Sequence, residues 1–183
     1  MVHTPLARFD QPDYDLPNMN PDEFSDEHIP LGYLITIRAH GTWLHGTAGS
    51  VDRFHNRYGT PKLPANEKRR HYNRRLLAAV PVTLEPKMRK AIEEGISETC
   101  EIRKWTLWAL NARTNHVHSV VTANCKPKKV VAAFKANATR KMREARVWSS
   151  ERNPWVGGGG SKKYLWTEKA MTNAIAYVLY DQG

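Results

Sequence analysis

The sequence Asn115-His116-Val117-His118-Ser119-Val120-Val121 has the pattern of a β-strand. Its valines favour extended backbone, and polar residues bound it on both sides. Because successive side chains of a strand point to opposite faces, His116 and His118 lie on the same face of the sheet. Two neighbouring imidazoles on a rigid strand supply two ligands of a small metal site. His-x-His also occurs by chance in proteins that bind no metal, so a further ligand and a reacting group have to come from elsewhere.

The segments on either side of this strand indicate a particular sheet. Apolar and β-branched runs predict strands, helical spacing of apolar residues predicts helices, and a short polar turn before His116 predicts a hairpin. The predicted elements are, in order, strand 31–39, helix 85–103, strand 105–112, strand 115–121, helix 128–146, strand 163–166 and a last helix from 168 to about 181. The first six match the βαββαβ order of a ferredoxin-like antiparallel sheet with helices on one face, which is an α+β fold.

The last helix carries a tyrosine on an unusual side. At about 100° per residue, Met171, Ile175, Val178 and Leu179 cluster on the side that we expect to face the sheet. The adjoining side is small and polar except for Tyr177. A tyrosine among alanines is well placed to enter a cleft, although an ordinary tyrosine at the edge of the core gives the same pattern.

Charge indicates the kind of partner. The chain has 28 Lys and Arg against 18 Asp and Glu, a formal charge of +10, which favours nucleic acid first and an anionic membrane second. No apolar run is long enough to span a bilayer, and two cysteines cannot build a disulfide scaffold. These features predict a soluble cytoplasmic protein that associates with the nucleoid.

Basic residues are concentrated in two stretches, 53–75 and 128–146. In the first, Tyr58, His71 and Tyr72 lie among them, and this mixture suits single-stranded nucleic acid because cations bind phosphates while rings stack on bases. A solvated charged face is the alternative. The predicted DNA-binding residues are Arg53, Arg57, Arg69, Arg70, Arg74, Arg75, Lys128, Lys129, Lys135, Arg140 and Lys141.

Two further segments differ from the rest in composition. Residues 1–30 contain seven acids and one arginine without periodicity, so we predict an irregular acidic arm, either solvated or lying over a basic surface, and a single catalytic domain at 31–183. Gly157 to Gly160 predict a flexible loop that lets the last helix shift during a reaction cycle. This loop lacks the Gly-Lys-Ser/Thr ending of a phosphate-binding loop, so we exclude a P-loop nucleotidase.

Two imidazoles and a phenol fit one reaction. A phenol that attacks a DNA phosphate displaces the 3′ oxygen and leaves a 5′-phosphotyrosine. A divalent ion held by the imidazoles and an oxygen ligand neutralises the non-bridging oxygens and orients the phosphate. The covalent intermediate retains the energy of the broken bond, so the reaction requires no nucleotide cofactor.

With these features together, the sequence resembles the IS200-like and REP-associated single-tyrosine transposases, in which a His-hydrophobic-His (HUH) motif and a late tyrosine form the site. The matching features are NHVHSVV on a strand, a basic helix, a YLW strand and AIAYVLYDQ on the last helix. The resemblance implies recognition of hairpins or palindromes in single-stranded DNA, dependence on Mg²⁺ or Mn²⁺, and cleavage and rejoining through 5′-phosphotyrosine. It makes His116 and His118 metal ligands and Tyr177 the nucleophile.

The third ligand stays open at this stage. The family's usual Gln or Asn one turn after the tyrosine is replaced here by Asp181, and Gln182 follows. Asp181 has the better helical position and a carboxylate that suits Mg²⁺ or Mn²⁺, whereas Gln182 has the familiar side chain. Tyr180 is the substitute nucleophile.

Two alternatives to an active transposase remain on sequence alone. One is a non-catalytic nucleic-acid-binding protein with a vestigial site, and the other is a zinc hydrolase that uses His116, His118 and Cys125. One sequence does not reveal which DNA sequence is recognised. It also does not distinguish a monomer from a homodimer, or a protein that still acts in transposition from one that does not.

Overall fold

A computed structural model describes residues 29–42, 44–47, 61, 63–77, 79–158 and 160–180. In these ranges the chain forms four strands and four helices, close to the predicted bounds. They are β1 (Gly32–Arg38), α1 (Glu67–Arg75), α2 (Pro86–Arg103), β2 (Thr106–Ala112), β3 (His116–Thr122), α3 (Pro127–Glu144), β4 (Ser161–Leu165) and α4 (Glu168–Leu179). Most of the predicted acidic arm, residues 1–28, lies outside the described residues, so its boundary stays a prediction.

The four strands form one antiparallel sheet in the order β2-β3-β1-β4. This order confirms the predicted α+β fold with a βαββαβ core. The register places Thr36 of β1 and Asn111 of β2 on either side of His118. It also places Arg38 opposite His116. Residues from both neighbouring strands therefore flank the two histidines of β3.

Helices cover both faces of the sheet. α2 and α3 cover one face with a cluster that includes Ile92, Phe134 and the odd-numbered residues of β1. α4 covers the opposite face, where Met171 and Val178 pack on the central strands. The prediction of helices on one face therefore holds for α2 and α3, while the tyrosine helix lies on the other side of the sheet.

The buried stripe of α4 differs in detail from the predicted one. Met171 and Val178 are buried as expected, and Ile175 is partly buried against them. Leu179 is 45% exposed, so its predicted place against the sheet is wrong, and Ala174 is buried instead. A spacing of three and then four residues keeps Met171, Ala174 and Val178 on one side of the helix.

Each long helix has an identifiable beginning. α2 and α3 both begin with proline in the first turn, where its missing N–H costs no hydrogen bond. Thr167 caps α4 by accepting a hydrogen bond from the backbone N–H of Ala170. Among the described helices, none combines the length and the apolar composition that crossing a bilayer requires.

Helix α1 was not predicted from the sequence. Asn66 caps it by accepting from the backbone N–H of Arg69, and no residue of the helix is buried. Its attachment is through the segment that follows β1, where Gly46 accepts from the N–H of Asn66 and His45 accepts from the side chain of Asn73. Because β1 ends at Arg38, opposite His116, this basic helix is attached at the sheet end that carries the histidines.

The contact between α2 and α3 leads to a stability prediction. A Cβ at Gly95 would lie 2.9 Å from the carbonyl oxygen of Asn137, which is closer than two such atoms pack. We expect Gly95→Ala to lower the free energy of unfolding by about 1–3 kcal/mol by overpacking this interface. Denaturant unfolding followed by circular dichroism measures the change.

A matched control is Gly157→Ala, because a Cβ there meets nothing within 4 Å and its backbone is not left-handed. We expect it to change stability by less than about 0.5 kcal/mol. Helix propensity alone favours Ala over Gly by about 1 kcal/mol, so without overpacking Gly95→Ala would stabilise the protein. A higher free energy of unfolding for Gly95→Ala would therefore contradict the close packing of α2 against α3.

Candidate active site

The structure brings the two histidines and one tyrosine together. His116 and His118 have ring centroids 4.5 Å apart on the face of β3 that α4 covers. The ring of Tyr177 lies 5.5 Å from that of His118, in an edge-to-face arrangement. Residues that are about 60 positions apart in the sequence therefore meet at one place on the sheet.

His118 is held in one orientation and kept neutral. It is 7% exposed, and its Nδ1 lies 2.9 Å from Oγ1 of Thr36 on the neighbouring strand. Burial is the largest cause, and together with the nearby His116, Arg38 and Arg113 it lowers the pKa of His118 to about 4. A neutral imidazole is the form that binds a metal ion.

His116 uses the same ring nitrogen for its local hydrogen bond. Its Nδ1 lies 2.5 Å from Oδ1 of Asn115, and because an amide oxygen only accepts, Nδ1 donates and Nε2 carries the lone pair. The hydroxyl of Thr36 can either donate to Nδ1 of His118 or accept from it, and the tautomer in which Nδ1 donates leaves Nε2 of His118 as the ligating atom too. Donation from the second nitrogen to a neighbouring group is the usual support of a metal-bound histidine.

This donor set fits a divalent ion but is incomplete in the described residues. Within the part of the chain that the structure describes, no Asp, Glu, Cys or further His joins the two histidines as a third ligand. The predicted candidates, Asp181 and Gln182, lie outside the described residues. They follow Tyr180, which caps the end of α4, so the choice between them stays open.

The structure separates Cys125 from the histidines. Cys125 packs against the cluster on the α2–α3 face, and its carbonyl oxygen accepts a hydrogen bond from the hydroxyl of Tyr33. Burial raises the pKa of its thiol, although Lys129 and Arg103 act in the opposite direction. A zinc site with His116, His118 and Cys125 is therefore not supported, because the sheet lies between the thiol and the imidazoles.

Tyr177 is better placed than Tyr180 to react. Tyr177 is 37% exposed and its ring contacts His118, whereas Tyr180 is 80% exposed at the end of the helix. The last turn of α4 is attached to the sheet by Asn111, whose side-chain N–H donates to the carbonyl oxygen of Val178 at 3.0 Å. This bond fixes the residue next to Tyr177 beside the strand position opposite His118.

The predicted DNA-binding residues occupy different environments. Arg69, Arg70, Arg74 and Arg75 are exposed on α1, with Arg70 paired to Glu67. Lys128 and Lys129 are exposed in the first turn of α3. Arg53 and Arg57 lie outside the described residues.

The remaining three predicted DNA-binding residues, all on α3, have contacts within the protein. Lys135 donates to the carbonyl oxygens of Val156 and Gly158, and both Arg140 and Lys141 pair with Glu98. α3 also lies on the sheet face away from the histidines. A role in DNA binding stays a prediction for the whole set, and the exposed residues carry it best.

Sequence reasoning missed several residues of the site: Thr36, Arg38, Asn111 and Arg113. The alternation of β1 places Thr36 and Arg38 on one face of the sheet. In the same way, the alternation of β2 places Asn111 and Arg113 on one face. Which neighbouring strand each residue would face depends on the register, which one sequence does not reveal.

Comparison with known proteins decides the family. A family model described as "Transposase IS200 like" matches residues 81–172, which is half of the 183 residues. The chain belongs to the IS200-like transposase family. Transposases are enzymes that act on DNA, and the match includes both histidines of β3 and ends five residues before Tyr177. No curated protein matches this transposase.

One solved structure similar to this transposase is described as "Structure of the REP associates tyrosine transposase bound to a REP hairpin". The similarity has a TM-score of 0.46 at 11% sequence identity. It covers 85% of this chain and 69% of the other.

The burial of His118 leads to a prediction about pH. In the metal-free transposase we expect its ring signals in an NMR titration to change with a midpoint near pH 4. Between about pH 6.5, the ordinary value for histidine, and pH 4, the unfolded chain binds a proton that the folded His118 does not. This residue therefore makes the free energy of unfolding fall as the pH falls through that window. A midpoint near 6.5 for His118 would contradict the described burial.

Proposed function

We propose that this transposase cuts and rejoins single-stranded DNA at hairpin or palindromic sequences, with Tyr177 as the nucleophile. The observation that carries the proposal is the contact between the ring of Tyr177 and that of His118. A half-exposed phenol beside two imidazoles on a basic protein is the arrangement that phosphotyrosine chemistry needs. The hairpin and the single strand are proposed from the resemblance to the REP-associated transposases.

The strand-transfer step requires no cofactor that carries a high-energy bond. The hydroxyl oxygen of Tyr177 attacks the phosphorus, the bond from phosphorus to the 3′ oxygen breaks, and a 5′-phosphotyrosine and a 3′-hydroxyl result. The proton lost by the phenol equals the proton gained by the 3′ oxygen, with solvent as the carrier. Attack of a 3′-hydroxyl on the phosphotyrosine reverses these steps and rejoins a strand.

His116 and His118 would hold Mg²⁺ or Mn²⁺ through their Nε2 atoms, with Asp181 or Gln182 as the third protein ligand. When bound, the ion supplies positive charge to the non-bridging oxygens of the reacting phosphate. Thr36 and Asn115 orient the two imidazoles through their Nδ1 atoms. Asn111 positions the last turn of α4 and therefore the phenol.

Covalent trapping tests the nucleophile. Purified protein is incubated with 5′- or 3′-labelled hairpin DNA and Mn²⁺, and the denatured mixture is resolved by electrophoresis. We expect wild type to form a protein–DNA adduct with the strand on the 3′ side of the cut, because the phosphate stays on Tyr177. We expect Tyr177→Phe to form none.

Tyr180→Phe is the matched control, since it removes a hydroxyl three residues away on the same chain segment. It should retain most of the adduct. An adduct in Tyr177→Phe that is lost in Tyr180→Phe would reassign the nucleophile. Salt-sensitive binding without an adduct in any divalent ion would instead favour a vestigial site that binds DNA without cutting it.

The exposed arginines of α1 support a further part of the proposal, that this helix binds the DNA backbone. α1 lies outside the residues that match the family model, buries none of its side chains, and is attached at the sheet end that carries His116. An exposed basic helix near the site is suited to bind DNA and contributes no buried side chain to the core.

Salt dependence measures this contribution. The double variant Arg74→Ala/Arg75→Ala should weaken binding to single-stranded DNA and reduce the slope of log affinity against log salt by about 1.4, which is about 0.7 for each lost phosphate contact. The control Lys87→Ala/Lys90→Ala removes the same charge from the exposed side of α2. Equal slopes for the two variants would refute a specific role for α1.

A further inference from the structure

Two arginines flank His116, one on each neighbouring strand. Arg38 is the residue of β1 directly opposite His116 in the antiparallel register. On the other side, the backbone N–H of Arg113 donates to the carbonyl oxygen of His116 at 2.8 Å, just beyond the end of β2. Side chains of directly opposed residues start about 5 Å apart on the same face of a sheet. We call Arg38 and Arg113 the arginine pair.

Alternation places the arginine pair on the reactive face. Arg38 is two residues after Thr36, whose hydroxyl contacts His118. Arg113 is two residues after Asn111, whose side chain reaches α4. Both arginines therefore start on the face where His116, His118 and Tyr177 lie.

The charge of this surface favours an anion. Both arginines remain protonated at any ordinary pH, and the strand register starts both of them beside His116. Arg38 is also half-buried, so part of its hydration has been removed. Negative charge placed between these cations and a divalent ion held by the histidines would lower the repulsion between them.

We propose that the arginine pair binds the phosphodiester that Tyr177 attacks, with one guanidinium on each side of His116 and its charges directed at the non-bridging oxygens. This inference rests on the proposed function and extends it, because it names the residues that hold the reacting phosphate. Guanidinium groups suit this role since their planar N–H groups bond two phosphate oxygens at once. Binding from two sides also fixes the direction from which the phenol approaches phosphorus.

The test combines the removal of a single phosphate charge from the DNA with the removal of a single arginine from the protein. A series of single-stranded hairpin DNAs is prepared, each with one neutral methylphosphonate linkage, and their affinities are measured in EDTA so that no cleavage occurs. For the wild type we expect one linkage at which neutralisation weakens binding by about ten-fold or more, the size of a charge-assisted hydrogen bond. In Arg38→Ala and Arg113→Ala, neutralisation of that linkage should have little further effect.

Arg89→Ala is the matched control. Arg89 lies on α2, which covers the opposite face, so the variant loses the same charge but should keep the full sensitivity to the neutral linkage. Arg38→Lys keeps the charge and loses the planar fork, and we expect intermediate sensitivity. If thermal unfolding shows that Arg38→Ala is not folded, the comparison is made with Arg38→Lys instead. Affinity for Mn²⁺ alone should not decrease in either alanine variant, whereas damage to the site would decrease it.

The adduct assay, run on the same proteins, separates this inference from the function on which it rests. If the wild type forms an adduct and both alanine variants keep the wild-type rate and the sensitivity to the neutral linkage, the arginine pair does not bind the phosphate, while the nucleophile stands. If the wild type forms no adduct but the sensitivity depends on Arg38 and Arg113, the proposed reaction is wrong and the phosphate site stands. A wild type without any sensitive linkage overturns the inference directly.

Discussion

The antiparallel register of β2, β3 and β1 is the constraint on which the site depends. Backbone hydrogen bonds fix which residues stand beside His116 and His118, and side-chain alternation fixes the face on which they point. A slip of one residue in β1 would turn Thr36 and Arg38 away from the histidines and bring Ile37 toward them. The buried odd-numbered residues of β1 prevent this slip, since Tyr33, Ile35 and Ile37 would lose their places in the core. The apolar packing on one face thus determines the chemistry available on the other.

The placement of α4 on its own face has a second consequence. Because α2 and α3 occupy the far side, α4 is the described helix that shares the surface with the histidines, and its phenol is both near them and partly exposed. Close packing holds the helix there: a Cβ at Gly32 of β1 would lie 2.9 Å from the sulfur of Met171. Lys135 donates hydrogen bonds to the carbonyl oxygens of Val156 and Gly158 in the loop that precedes β4. This lysine therefore has a structural role in addition to the positive charge from which DNA binding was predicted. A shift of α4 through that loop stays a prediction.

Much of this architecture could be predicted because it depends on local pattern. The valines around His116 and His118 and the helical spacing of apolar residues predicted the strand β3 and the helix α2 that the structure contains. α1 could not be found in this way, since a helix that buries nothing has no apolar stripe. Leu179 was misplaced because the packing of α4 uses Ala174, a small residue that hydrophobicity alone does not select. Thr36, Arg38, Asn111 and Arg113 needed the strand register, which arises from contacts between distant parts of the chain. Asp181 and Gln182 lie beyond the described residues, so the third ligand is still an expectation from sequence.

We propose that one divalent ion binds beside both histidines of β3 and the phenol of α4. Paramagnetic broadening measures this directly: Mn²⁺ is titrated in substoichiometric steps into the full chain while NMR signals of the histidine and tyrosine rings and the alanine methyl groups are recorded. We predict that His116, His118 and Tyr177 broaden first and together, while Ala133 and Ala138 of α3, on the opposite face, stay sharp at the same Mn²⁺ concentration. Broadening of the histidines without Tyr177, or broadening centred on α3, would contradict it.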